Sequence, residues 1–329
     1  MPQRFSIGTM LLIGMLAGGD FTGIAAPGQR PEVADKEAEP SVDVELVIAV
    51  DVSYSMDLDE LAVQREGYAQ AIVSKDFLQA LRTGPHSKIS LTYFEWSASS
   101  DQKIIIPWRM IDGPETADAV ANEIMQTPVR RGSRTSISGA ILFAMPLFDV
   151  DPYRGLRRVI DISGDGPNNN GPPVTPTRDA ALGKGIVING LPIMVKEPSY
   201  STTDIDNLDW YYEDCVIGGP GSFVVPIKDR EQFKEAIRTK LIQEVAGRTP
   251  ERPIIPTSDK EPRVSCMIGE KLWQDRWGPV VHHPQDFSPL QVLIGALGWV
   301  FEAEGLRLFV IGRCRSQRNA RRTRAGRSF

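Results

Sequence analysis

Histidine and cysteine are scarce in this 329-residue chain, three of each. His86, His282 and His283 are scattered, which gives neither zinc-ligand spacing nor a Ser-His-Asp arrangement. Cys215, Cys266 and Cys314 lack metal-ligand spacing as well. Their odd number and wide separation specify no disulfide. Long apolar runs are also missing. Leu290 to Ile311 comes nearest to a membrane span, but Glu302, Glu304 and Arg307 interrupt it. There is no glycine-rich phosphate loop and no internal repeat. A basic body is absent too. The formal net charge is -5, yet residues 313–329 hold seven arginines and no acid, so the rest of the chain is strongly acidic. That balance argues against nucleic acid as a partner, and the arginine tail reads as a solvated segment.

The N-terminus carries a shorter apolar stretch, Ile7 to Ala17, after Arg4 and before the small residues Gly23, Ala25 and Ala26. A run of about 11 apolar residues suits the core of a signal peptide and is too short to cross a bilayer. We therefore expect a signal peptide over residues 1–26, export to the periplasm or medium, and no transmembrane segment after cleavage. Residues 27–41, rich in Pro, Glu and Ala, read as a linker.

Ordered structure is expected from Val42. Leu46-Val47-Ile48-Ala49-Val50 is a continuous apolar run, the pattern of a strand buried on both faces. A helical pattern follows over Leu58 to Leu81 and closes at Gly84-Pro85. Further strands are expected at Lys88–Phe94, Lys103–Trp108, Val159–Ile162, Ile186–Val195 (broken at Gly190) and Phe223–Ile227. Helices are expected at Glu115–Met125, Ile137–Phe148, from Thr177 to Leu182, and at Glu231–Val245. Alternating strands and helices imply a three-layer α/β/α, doubly wound, mostly parallel sheet over residues 42–246. Ligands in such sheets sit beyond the C-terminal strand ends. Residues 247–329 form an extension without a clear pattern.

Chemistry concentrates at such a strand end. Asp51, Ser53 and Ser55 follow the first apolar strand at alternate positions, offering three oxygens to one point. Hard divalent cations take oxygen ligands of this kind. Alone, the same residues could cap a helix. Further along, Gly132-Ser133-Arg134-Thr135 precedes a helix and Asp165 follows the strand Val159–Ile162. Asp161, inside that strand, competes with Asp165, although a structural role suits it better. Asp57, Asp59 and Glu60 read as acids at a helix N-terminus. Asn168, Asn169 and Asn170 could line a ligand rim, but turn chemistry fits them better. Two aromatic groups, Tyr93-Phe94-Trp96 and Trp210-Tyr211-Tyr212, read as core.

Asp-x-Ser-x-Ser, Thr135 in its glycine-containing loop, and Asp165 before Gly166 resemble, in order and context, the three segments of the von Willebrand factor A domain family. The family's third segment is often Thr-Asp-Gly, whereas this chain reads Ser163-Gly164-Asp165-Gly166. The run from Asp161 to Asn170, with the stretch from Asp214 to Gly221, resembles an uncharacterised branch of exported bacterial proteins in that superfamily. The resemblance implies a metal-ion-dependent adhesion site (MIDAS) with Asp51, Ser53, Ser55, Thr135 and Asp165 as ligands. It implies a divalent cation, Mg²⁺ before Mn²⁺ or Ca²⁺, and a protein partner that offers Asp or Glu to the ion. On this reading the chain is a binding protein and not an enzyme. The alternatives are a Mg²⁺-dependent phosphoryl or ester hydrolase, or an ion that only pins three loops. A hydrolase would need a base or phosphate clamp, for which only Lys184 and Arg134 offer themselves.

Overall fold

The computed structural model of the protein describes residues 40–195, 204–247 and 261–277. The expected signal peptide, most of the expected linker, His282, His283, Cys314 and the arginine tail lie outside them. Strand β1 (Ser41–Asp51) begins one residue inside the stretch read as linker. Its side chains alternate between two cores. Val44, Leu46, Ile48 and Val50 enter one, Val47 and Ala49 the other, and all are buried. Burial of both faces is the reason for the unbroken apolar run.

Around β1 stand β2 (Ile89–Trp96), β3 (Gln102–Ile111), β4 (Arg154–Gly164) and β5 (Ile186–Pro192) in the order β3-β2-β1-β4-β5. All neighbours are parallel except the edge strand β3, which pairs antiparallel with β2. One core packs α1 (Leu58–Ile72), α2 (Lys75–Leu81), α3 (Pro114–Gln126) and α7 (Phe233–Ala246) on one face of the sheet. The other packs α4 (Ile137–Ala144), α5 (Val174–Gly183) and α6 (Leu208–Tyr211) on the opposite face. The result is the three-layer α/β/α architecture expected from the alternating pattern. Strand order reverses between β1 and β4, and a crevice at that point is where open α/β sheets place ligands.

Several boundaries differ from the sequence reading, each for a local reason. The helix expected over Leu58–Leu81 is two, because Ser74 turns extended and accepts a hydrogen bond from Phe77 N as a new N-cap. The helix expected over Ile137–Phe148 ends at Ala144 and continues as a 3-10 turn that contains Pro146. Gly190 does not break β5. It pairs with Ile162, and the Tyr212 ring occupies the space where its side chain would stand. Phe223–Ile227 adds only isolated bridges, Val224 to Gly190 and Ile227 to Ile193, where a strand was expected. Pro226, with no N–H, cannot complete a ladder there.

The extension after residue 246 contributes a helix of its own, α8 (Ile268–Trp277). A disulfide between Cys215 and Cys266, with Cα atoms 5.5 Å apart, ties its leading segment to the π-helical turn Tyr212–Val216. Arg263 reinforces the tie with bonds to Asp214 (2.9 Å) and Glu213 (2.5 Å).

Candidate metal centre

Asp51 is the last residue of β1, and Asp165 directly follows β4, so neighbouring parallel strands deliver both carboxylates to the switch point. The Asp51 side chain turns back on its own loop, accepting from Ser53 N at 2.7 Å. This fixes the turn that presents Ser53 and Ser55. Their hydroxyl oxygens lie 2.8 Å apart, and Ser55 Oγ donates to Asp165 Oδ1 at 2.6 Å. Thr135 lines the same pocket as Ser53 and Ser55. Four expected residues are thus linked by hydrogen bonds, and the fifth faces their pocket. Asp57 and Glu60, just beyond, form a capping box at the start of α1, as their acidity at a helix N-terminus suggested.

The loop that carries Thr135 is held from both sides. Gly132 N donates to Val52 O at 2.8 Å, and Gly132 forms a bridge with Ser53. A side chain at Gly132 would collide with Ser97 Oγ, so this close approach requires glycine. Arg130 anchors the loop through Glu95 (3.1 Å) and Asp101 (2.9 Å), and Glu95 also pairs with the buried Arg65. On the other side, the asparagine run does more than turn the chain. Asn169 Oδ1 accepts from Thr135 N at 3.0 Å, Asn168 Oδ1 accepts from Ser138 N at 3.0 Å, and Asn170 Oδ1 accepts from Ser99 N at 2.8 Å. All three amides brace the third loop against its neighbours, and Asn169 also lines the pocket. Neither a ligand rim nor turn chemistry, the two roles expected of this run, accounts for this bracing.

The electrostatics fit a divalent cation. Burial, and then the like charge of Asp165, push the Asp51 carboxyl well above the usual carboxylate range. Asp51 is fully buried, and its Oδ2 has no hydrogen-bond partner among the described residues. An orphaned buried carboxylate oxygen is costly unless something outside the chain completes it. The donor set of two carboxylates and three hydroxyls is all oxygen, as Mg²⁺ prefers. Among the described residues no group of three or more His, Cys, Asp or Glu is placed to hold a metal ion.

Asp161 does not compete for the site. It is buried at mid-sheet, with Lys240 Nζ 2.6 Å from its Oδ1. Gly164, the departure from Thr-Asp-Gly, has a visible consequence. A Cβ there would stand 2.9 Å from both Asp51 Oδ2 and the Tyr212 hydroxyl. Glycine leaves room for Tyr212, fully buried and without a hydrogen-bond partner for its hydroxyl among the described residues, to approach the floor of the site. Tyr211 and Tyr212 are core, as expected, whereas Trp210 is 40% exposed under Arg263. Tyr93, Phe94 and Trp96 are core as expected.

The sheet order, the antiparallel edge strand and the three site loops in this order define an α/β domain of the von Willebrand factor A type. The chain belongs to the protein family of unknown function DUF1194, whose model matches residues 41–249. No curated protein matches it. Solved structures with a similar fold include proximal thread matrix protein 1 from the mussel byssus, in a form with a zinc-occupied MIDAS motif. It shares 14% identity at a TM-score of 0.45, over 63% of this chain and 49% of that one. A von Willebrand factor type A protein from Catenulispora acidiphila matches at 14% identity and TM-score 0.44, over 62% and 43%. The conserved hypothetical protein BatB from Bacteroides thetaiotaomicron matches at 18% and 0.40, over 62% of this chain and 100% of its own. This chain therefore spans about half the length of the mussel protein and less of the Catenulispora one.

Proposed function

We propose that the protein is an exported binding module that holds a divalent cation, Mg²⁺ first, and uses it to engage an acidic group on a protein partner. The observation that carries this reading is Asp51: fully buried, beside a second carboxylate, with an oxygen that nothing in the described chain satisfies. Asp51, Ser53, Ser55, Thr135 and Asp165 would hold the ion. When bound, the ion supplies a Lewis-acidic position that a partner carboxylate can fill. The protein's own part is to fix the oxygens in place, through the Asp51–Ser53 turn and the asparagine braces.

Binding is favoured over hydrolysis by the pocket lining. It offers hydroxyls, guanidinium groups, an amide and aromatic rings, and neither an imidazole nor an amine as a base. Export is supported by the N-terminal apolar stretch and by the Cys215–Cys266 disulfide, a bond that persists in oxidising compartments. The test is capture of partners from a cell-envelope extract on immobilised protein in Mg²⁺. The expected result is release by chelator, and no capture by Ser53→Ala although that variant unfolds at the wild-type temperature. Capture that ignores both chelator and Ser53→Ala would refute the reading.

A further inference from the structure

Helix α8 lies beyond the residues that the family model matches, yet it reaches the candidate metal centre. Its seat is specific. A side chain at Gly269 would collide with the carbonyl of Asn168, and the Asn168 amide donates to Glu270 Oε1 at 2.7 Å. Asn168 belongs to the run that braces the Thr135 loop, so α8 docks on the scaffold of the site itself. Docking there sets Trp273 against Arg134, whose guanidinium carbon lies 3.1 Å from the ring centroid. Trp273, Arg276 and Trp277 then wall a cavity of about 250 Å³ that opens over Ser53, Ser55 and Thr135.

Arg134 is the key group. It directly precedes Thr135 and is held at φ 72, a conformation uncommon outside glycine, asparagine and aspartate. Stacking on an indole fixes the guanidinium plane while leaving its N–H edge available, and that edge matches a carboxylate bidentately. Among the described residues, no carboxylate pairs with Arg134. The disulfide and the Arg263 contacts hold this wall in place from its other end.

We propose that Arg134 and Trp273 form a second anion subsite beside the metal, and that the partner's docking segment is an acidic peptide bearing two carboxylates on adjacent residues. One carboxylate goes to the ion and the other to Arg134, while the indoles cover the peptide between them. This rests on the metal-dependent reading above and adds to it the kind of acid that is chosen.

The experiment uses the full chain with its disulfide intact, saturated with Mg²⁺, and two blocked peptides of equal length, one with a single Asp and one with two in succession. Titration calorimetry measures both affinities. The two-acid peptide is expected to bind about tenfold tighter, the selectivity that a bidentate guanidinium contact supplies. Arg134→Asn, which suits the left-handed backbone, should erase that gain, bringing the two peptides to within twofold of each other. Trp273→Ala should cut the gain at least threefold with Arg134 still present. Equal affinity for the two peptides, or a gain that survives Arg134→Asn, overturns the subsite while the metal reading stands. Failure of the single-acid peptide to bind in Mg²⁺ defeats the metal reading, and the subsite with it.

Discussion

Of the places where the domain buries carboxylates, two are treated differently. At mid-sheet, Asp161 and Glu244 share Lys240, whose Nζ stands 2.6 Å from one and 2.7 Å from the other, all three fully buried. Asn189 donates to the remaining Glu244 oxygen at 2.7 Å. The chain carries its own cation there, so each of the two acids has an opposite charge in contact. At the strand ends, Asp51 lies beside Asp165 with no lysine or arginine paired to it among the described residues. Asp51 is as buried as that trio and Asp165 only half-buried, and Asp51 differs from Asp161 and Glu244 in having no lysine or arginine paired to it among the described residues. One cluster is a finished piece of core, and the other is a site that an ion from outside would complete.

The largest loss of stability is expected at the Lys240 cluster. Lys240→Met would leave two buried acids without their cation, an expected loss of about 3–5 kcal/mol in urea unfolding, with no rescue by Mg²⁺. At the open cluster, Gly164→Ala would drive a methyl group to within 2.9 Å of Asp51 Oδ2 and the Tyr212 hydroxyl. The expected cost is about 1–3 kcal/mol, together with weakened Mg²⁺ binding by calorimetry. Alanine at the neighbouring glycine, Gly166, where a Cβ meets nothing nearer than 3.9 Å, should cost less by both measures.

Another buried carboxyl, Asp151, responds to pH. Asp151, bonded to Ser90 Oγ at 2.7 Å, is pushed up to about 6, mainly by burial. The folded state then holds its proton where the unfolded chain has lost it. Its stability contribution is complete below the ordinary aspartate range, near pH 4, and is lost as pH rises through about 6. Asp151→Asn should flatten the pH dependence of urea unfolding between those limits by on the order of 1–2 kcal/mol, allowing for solvent screening.

Much of this was legible in the sequence, and the misses share a cause. The apolar run of β1 and the oxygen donors after it are local patterns, and they survived folding intact. The order of the three site segments was legible for the same reason. The break at Ser74 depends on one side chain capping a backbone N–H, which hydrophobic spacing does not register. The Cys215–Cys266 bond and the seat of α8 depend on single long-range contacts, such as Gly269 under the Asn168 carbonyl and Trp273 over Arg134. Neither leaves a period in the sequence. Glycines offered the one available signal: Gly132, Gly164 and Gly269 each mark a place where another group comes too close for a side chain.

On the proposed reading an external cation completes Asp51, and thermal or urea unfolding with and without Mg²⁺ shows whether it does. At a hundredfold excess over its dissociation constant, Mg²⁺ should stabilise the wild-type protein by about 2.7 kcal/mol, reversibly with chelator. Asp51→Asn should be no less stable than wild type without metal, since it removes a buried like charge, and should gain nothing from Mg²⁺. A wild type indifferent to every divalent cation, or an Asp51→Asn variant stabilised as much as wild type, would contradict the account.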